Sequence, residues 1–207
     1  MKNLLYKLII KNVTNYCYEN SLDCFLPDTR ILDVGIGNGV MLENFHHVIK
    51  TKNLQITGID INKSYLEHCK SLIDSYHLEN YIEIYHKAVE TYSPPKNNYF
   101  DFVLFSMSFM LFDNQQLVLD LVRNWVKPDG KVLFFQTMYK DKFKLMEIIK
   151  PKLKHFTTID FGAVTYENDF FQLLDKNHMS ISQDRMIKRE WFKGEYRMFV
   201  TSFNGSH

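Results

Sequence analysis

Apolar positions along the chain follow two periods. Leu4, Leu5, Leu8, Ile9, Val13 and Tyr16 recur at helical spacing, which predicts an amphipathic N-terminal helix. After a turn at Pro27-Asp28, Arg30 to Val34 reads as a short apolar strand. Gly35 to Gly39 is a tight loop, and Met41, Leu42, Phe45 and Ile49 mark the buried side of the helix that follows. Leu54 to Ile59 is a second strand. Asn62 suits the cap of a helix carrying Tyr65, Leu66, Cys69, Leu72, Ile73 and Tyr76. Tyr81 to Tyr85 is a third strand, and Ser93 to Asn98 a loop. The continuous apolar run Phe102 to Phe105 is a strand of the kind covered on both faces. Leu117, Leu121, Val122 and Trp125 mark another helix. Lys127-Pro128-Asp129-Gly130 is a turn, and Lys131 to Phe135 a fifth strand.

Strand and helix therefore alternate over the first 135 residues, which implies a parallel sheet with helices on both faces. The tail departs from this. A helix near Tyr166 to Lys176 precedes two strands, Ile181 to Ile187 and Tyr196 to Phe203, that read as an antiparallel pair at the sheet edge. The expected fold class is α/β: a doubly wound, mostly parallel seven-stranded sheet with an antiparallel C-terminal strand pair, an N-terminal helix and a small cap insert. Residues 1–207 are expected to form a single domain. Its parts are an N-terminal helical cap (1–26), a ligand-binding half (30–136), a cap insert (138–164), and a helix plus terminal hairpin (165–207).

Composition narrows the classes. With 207 residues, 45% hydrophobic and 24% charged, the chain suits one globular domain and not a disordered one. A net charge of +1 provides no global field for nucleic acid or an anionic membrane. Three cysteines, Cys17, Cys24 and Cys69, have no metal-ligand spacing and fit free thiols in a reducing compartment. The start MKNLLYKLIIKN lacks signal-peptide form, and Phe102 to Phe112 is far shorter than a membrane span. A cytoplasmic protein is the expectation, with no membrane partner and an open oligomeric state.

The chemistry concentrates at the first strand end. In an open α/β sheet, ligands sit at the carboxyl ends of the strands. Gly35-Ile36-Gly37-Asn38-Gly39 lies at such an end, with Asp33 two residues before it. A dinucleotide fingerprint would need glycine at position 40, which is valine, and no Gly-Lys-Ser/Thr follows. An acid at the loop entry suits an ammonium or sulfonium better than a pyrophosphate. Gly58-Ile59-Asp60-Ile61-Asn62 then places a carboxylate at the next strand end, where it can accept from two ribose hydroxyls.

ILDVGIGNG, GIDIN, FDFVLFS and VKPDGKVLFF, in this order and spacing, resemble the class I (seven-stranded, Rossmann-like) S-adenosylmethionine-dependent methyltransferases over roughly Arg30 to Gln136. The resemblance implies S-adenosylmethionine as cofactor. It implies that Asp33 orients the methionine amino end and that Gly35, Gly37, Asn38 and Gly39 lie against the cofactor. Asp60 would hold the ribose and Ile61 pack on adenine. Ala88 and Val89 would lie beside the adenine edge, and Ser106 near the methionine end. Many relatives carry Gly-Asp-Ala after strand three, whereas this chain has His86-Lys87-Ala88, so the acidic adenine contact has no direct counterpart.

Ser106-Met107-Ser108-Phe109 replaces the Asn/Asp-Pro-Pro-Tyr/Phe of base amino methyltransferases. Gln136-Thr137-Met138 replaces the acidic pair of magnesium-dependent catechol-type enzymes. These differences weigh against nucleic-acid bases as acceptors and against a metal requirement. The expected acceptor is a small molecule methylated at oxygen, nitrogen or carbon. A protein or RNA acceptor, or a non-catalytic cofactor-binding partner subunit, stay as alternatives. Tyr16, Tyr18, Phe109, Phe112, Tyr139, Phe161 and Tyr166 are candidates to line the acceptor pocket, with Tyr16 and Tyr139 favoured for their polar tips. No catalytic residue is named. The lysine-rich stretch 140–154, and Lys188, Arg189, Lys193 and Arg197 in the last hairpin, read as solvated faces.

Overall fold

The computed structural model describes residues 2–140, 164–189 and 194–205, with the side chains of residues 2–12 outside that description. The central sheet has the order β3-β2-β1-β4-β5-β8-β7. Its parallel half comprises β1 (Arg30–Val34), β2 (Gln55–Asp60), β3 (Ile82–His86), β4 (Phe100–Ser106) and β5 (Val126–Tyr139). β7 (Met179–Arg189) and β8 (Gly194–Phe203) run antiparallel at one edge. An eighth strand, β6 (Thr165–Tyr166), pairs with the end of β5 at Met138 and Tyr139. The expected mixed sheet is therefore present, with this short strand added.

Alternation along the central strands separates two cores. Ile31, Leu104, Leu133 and Phe135 face one side, beneath α1 (Lys2–Cys24), α2 (Val40–Thr51) and α3 (Lys63–Tyr76). Leu32, Val34, Phe105 and Phe134 face the other, beneath α4 (Gln115–Trp125) and α5 (Glu167–Lys176). Burial on both faces explains why β1 and β4 read as near-continuous apolar runs. Asn62 caps α3 as expected, its side chain accepting from Tyr65 N at 3.3 Å.

Several expectations change. The Lys127–Gly130 turn lies within β5 as an excursion, with Phe100 opposite Val126 and Phe102 opposite Lys131. Gly130 is required there, because a Cβ would stand 2.9 Å from the Asp101 carbonyl oxygen. The crossover from β3 to β4 carries only a 3₁₀ turn, Val89–Thr91, so one helix of the double winding is missing. Glu83 and Tyr85 consequently stay exposed, and with Tyr92, Pro95 and Tyr99 they line a cleft of about 180 Å³ on the face opposite α1. Met138 and Tyr139, placed at the start of the insert from sequence, belong to β5. Residues 141–163 of that insert, with most of its lysine-rich stretch and Phe161, lie outside the described residues, as does Lys193. Arg197 is not on a solvated face. It is 8% exposed and pairs with Asp184 and Glu167.

The N-terminal helix runs on to Cys24, and its inward positions are Val13, Cys17, Tyr18, Ser21 and Leu22. Four ties hold this half. Asn44 Nδ2 donates to Asn15 Oδ1 at 2.8 Å, and Arg185 donates to Asn20 Oδ1 at 2.7 Å. Lys52 Nζ donates to the Leu22 and Phe25 carbonyls at 2.6 and 2.8 Å, binding the last turn of the helix and the residue just beyond it. The fourth is a bond from Tyr18 into the sheet. Replacing Lys52 with alanine is expected to cost about 1–2 kcal/mol, because a charge-assisted donor is lost from partly buried acceptors. Urea unfolding of Lys52→Ala against the parent chain measures it, and an unchanged midpoint contradicts the anchoring role.

Candidate cofactor site

The site is built where β1, β2 and β4 end. Gly35, Gly37 and Gly39 all have positive φ, at 81°, 64° and 79°. A side chain at Gly35 would be strained and would also meet Ser108 Cβ at 2.7 Å. Ser108 Oγ donates to the Val34 carbonyl, so the turn after β4 is stitched to the end of β1. That turn is sharp: Met107 between the two serines has φ of 58°, an uncommon conformation for a residue with a Cβ. The loop is tied to β2 as well. Gly35 N and Ile36 N donate to the Ile59 carbonyl at 2.8 and 3.2 Å. Ile36 is buried over Gly58, where a Cβ would stand 2.5 Å from its Cδ1. Cys69 Sγ donates to the Gly37 carbonyl at 3.1 Å, and His68 Nδ1 bonds the Asn38 carbonyl at 2.9 Å.

Asp60 is half-buried at the end of β2. Its Oδ2 accepts from Gly37 N at 2.9 Å and its Oδ1 from Asn62 N at 2.8 Å. A carboxylate has about four acceptor positions, so two remain for further donors. Ile61 beside it is 72% exposed. An isoleucine presented this openly next to a carboxylate offers an apolar face to a flat ring. Its backbone is pinned from the next strand, since His86 Nε2 bonds the Ile61 carbonyl at 2.9 Å. Lys87, where many relatives carry an acid, is exposed.

Asp33 is the most constrained group. It is fully buried, at 0% exposure, on the α1 face of β1. Tyr18 donates its phenol hydrogen to Asp33 Oδ2 at 3.2 Å, while Oδ1 has no hydrogen-bond partner among the described residues. On the adjacent β4, the Ser106 hydroxyl is also buried, within reach of the Cys17 thiol and the Tyr18 phenol. Burial pushes Asp33 up from 3.8 to about 7, the Tyr18 hydrogen bond opposes that, and the Asp60 charge adds to it. Burial likewise pushes the Cys17 and Cys69 thiols up to about 12, so both stay neutral.

These features fit S-adenosylmethionine. A buried carboxylate oxygen without a donor among the described residues, Asp33 Oδ1, matches an ammonium group, which brings three hydrogens. Among the described residues, no three His, Cys, Asp or Glu side chains gather as a metal site, and no helix is long and apolar enough to cross a membrane.

Of the residues singled out from sequence, Asp33, Gly35, Gly37, Asn38, Gly39, Asp60, Ile61 and Ser106 meet around these strand ends. Val89 is buried in the core on the α4 face, and Ala88 is half-buried before it. Phe109 is 1% exposed on that same opposite face, its ring packed against Phe105, Phe134 and Phe170. Tyr16 is 50% exposed. Tyr139 is buried and, by alternation from Phe135, lies on the Asp33 side of the sheet together with Thr137. The tyrosine of α1 that reaches the site is Tyr18, one of the wider candidates but not a favoured one. Ser108 and Cys69 carried no signal in the sequence.

Comparison with known proteins agrees with this geometry. Residues 31–130 match the family model described as a methyltransferase domain. The chain is 34% identical over 129 residues to the ubiquinone/menaquinone biosynthesis C-methyltransferase UbiE of Wigglesworthia glossinidia brevipalpis, covering 62% of this chain and 48% of that one. It spans no more than about half the length of the curated relatives it matches. Among solved structures, the MccD protein superposes with a TM-score of 0.73 at 12% identity, over 91% of this chain and 96% of that one. A geranyl diphosphate methyltransferase in complex with S-adenosylmethionine gives 0.74 at 8% identity, over 93% and 84%. The matched segment and the shared fold agree with the resemblance to S-adenosylmethionine-dependent methyltransferases read from the sequence.

The raised Asp33 has a consequence for stability. A carboxyl whose folded-state value exceeds 3.8 favours the fold below that value and loses that contribution as pH rises to about 7. The ligand-free protein therefore carries an ionisation penalty at pH above 7. Asp33→Asn is expected to raise the melting temperature of the ligand-free protein in alkaline buffer, by about 2–4 kcal/mol equivalent. The gain closes toward pH 4. A difference independent of pH contradicts the buried, ionising carboxylate.

Proposed function

We propose that the protein transfers the methyl group of S-adenosylmethionine to a small-molecule acceptor by in-line displacement, without a metal. The observation that carries this reading is the buried carboxylate oxygen Asp33 Oδ1, unsatisfied among the described residues, beside the glycine loop. The bound cofactor supplies an electrophilic methyl on a sulfonium. Asp33 receives the ammonium of the methionine end. Asp60 retains acceptor capacity for the ribose hydroxyls, and exposed Ile61 covers the adenine. Half-buried Ala88 lies beside the adenine edge, and His86 holds the Ile61 backbone.

The acceptor enters on the α1 side, where Thr137 and Tyr139 stand beyond Ser106 on neighbouring strands. Alignment with desolvation can supply much of the acceleration of a displacement that has no dedicated base. A small acceptor is supported by the similar proteins, one a quinone-biosynthesis C-methyltransferase and another a geranyl diphosphate methyltransferase. Gln136-Thr137-Met138 at the end of β5 provides no acidic pair for a divalent ion.

Asp60→Ala removes the ribose acceptor and one clasp on the loop. It is expected to weaken S-adenosylhomocysteine binding at least about tenfold, from one or two lost charge-assisted hydrogen bonds. Calorimetry measures it, and unchanged affinity contradicts the ribose assignment. Incubation with methyl-labelled cofactor and fractionated extract tests the acceptor class. Label in the small-molecule fraction is expected, and label confined to protein or RNA contradicts a small acceptor.

A further inference from the structure

The N-terminal helix does more than cover the sheet. Its register brings one side chain, the Tyr18 phenol, onto the buried carboxylate at the loop entry. The helix is fixed around that point by Asn15, Asn20, Leu22 and Phe25, which bond Asn44, Arg185 and Lys52. Tyr18 is itself only 2% exposed and has no room to swing away without moving α1. One Asp33 oxygen is therefore committed to α1, and the other has no partner among the described residues.

Resting on the methyl-donor reading above, we propose that Tyr18 is a positioning residue for the amino-acid end of the cofactor: by donating to Asp33 Oδ2 it favours the ionised carboxylate and keeps it turned so that Oδ1 alone receives the ammonium. The titratable groups facing Asp33 are Tyr18 and Cys17 on α1, Asp60 at the end of β2 and Cys69 on α3. Both thiols are neutral across the physiological range, and Asp60 acts against ionisation. Tyr18 is the group among these four that favours the ionised carboxylate. Cofactor binding then selects the ionised carboxylate, so affinity is full above the Asp33 midpoint and falls as pH drops through it. Loss of the phenol hydroxyl raises that midpoint and extends the weak-binding range upward.

The test is calorimetric titration with two probes between about pH 5.5 and 8.5, a range that spans the Asp33 midpoint. S-adenosylhomocysteine carries the ammonium. 5′-Methylthioadenosine keeps the adenosine thioether and lacks the amino-acid end. In the parent protein, S-adenosylhomocysteine affinity is expected to fall below pH 7 while 5′-methylthioadenosine affinity stays level. Tyr18→Phe is expected to bind S-adenosylhomocysteine about tenfold more weakly at pH 7, with the midpoint moved to higher pH. Its 5′-methylthioadenosine affinity stays at the parent value. Asp33→Asn is expected to bind S-adenosylhomocysteine weakly with a flat pH profile, and adding Tyr18→Phe to it changes nothing more.

A Tyr18→Phe profile superimposable on the parent overturns the proposal and leaves the methyl-donor reading standing. So does a parallel loss of 5′-methylthioadenosine affinity, which marks a general disturbance of the fold. If Tyr18→Phe alone does not fold, the double variant decides, because it strands no carboxylate. Equal S-adenosylhomocysteine affinity in Asp33→Asn and the double variant supports the proposal, and a further tenfold loss overturns it. A parent protein that binds neither probe at any pH defeats the methyl-donor reading and this proposal with it.

Discussion

A carboxylate that is fully buried with only one of its oxygens hydrogen-bonded is the constraint around which this site is arranged. Asp33 gains nothing for the fold by ionising in that position, since burial holds it up at about 7. The sheet places it there all the same, at the carboxyl end of β1, between the chain ends where β2 and β4 also stop. Such a group is tolerable as the receptor for a cation that arrives with its own hydrogens.

The rest of the architecture holds that arrangement rigid. The glycine loop is not free-standing. It hangs on the Ile59 carbonyl and the Asp60 carboxylate on one side, is backed by Cys69 of α3, and is closed by the Ser108 hydroxyl on Val34. Gly58 lies in β2 because Ile36 of the loop occupies the space above it. Across the sheet, stacked and edge-on rings of Phe105, Phe109, Phe134 and Phe170 fill the opposite core. The high aromatic content is thus used largely for packing, and it gives β4 and β5 a stiff backing behind the site.

Local features were legible in the sequence. The glycine spacing, Asp33 and Asp60 depend on residues close together in the chain and fall at the strand ends where their period and turn chemistry put them, and the strand-helix alternation holds except between β3 and β4. Features set by tertiary register were not. Tyr16 and Tyr18 are roughly 200° apart around a helix, so choosing between them requires knowing how α1 is rotated on the sheet. That rotation is fixed by Asn44, Lys52 and Arg185, far away in sequence. Phe109 looked equally fit for a pocket and for the core, and the 3₁₀ turn after β4 turns it to the core. Arg197 resembled a surface charge until Asp184 and Glu167 came together around it. Met138 and Tyr139 read as the start of an insert because the partners that make them strand, Thr165 and Tyr166 on one side and Glu195 and Gly194 on the other, are distant in sequence.

The central claim is that Asp33 is kept buried and half-satisfied to receive the ammonium of a methyl donor. A crystal structure of the protein with S-adenosylhomocysteine tests it most directly. The account predicts the ligand nitrogen at about 2.7–3.2 Å from Asp33 Oδ1, with the Tyr18 bond to Oδ2 intact. A complex in which the ammonium points to solvent and Asp33 Oδ1 stays unpaired would contradict it.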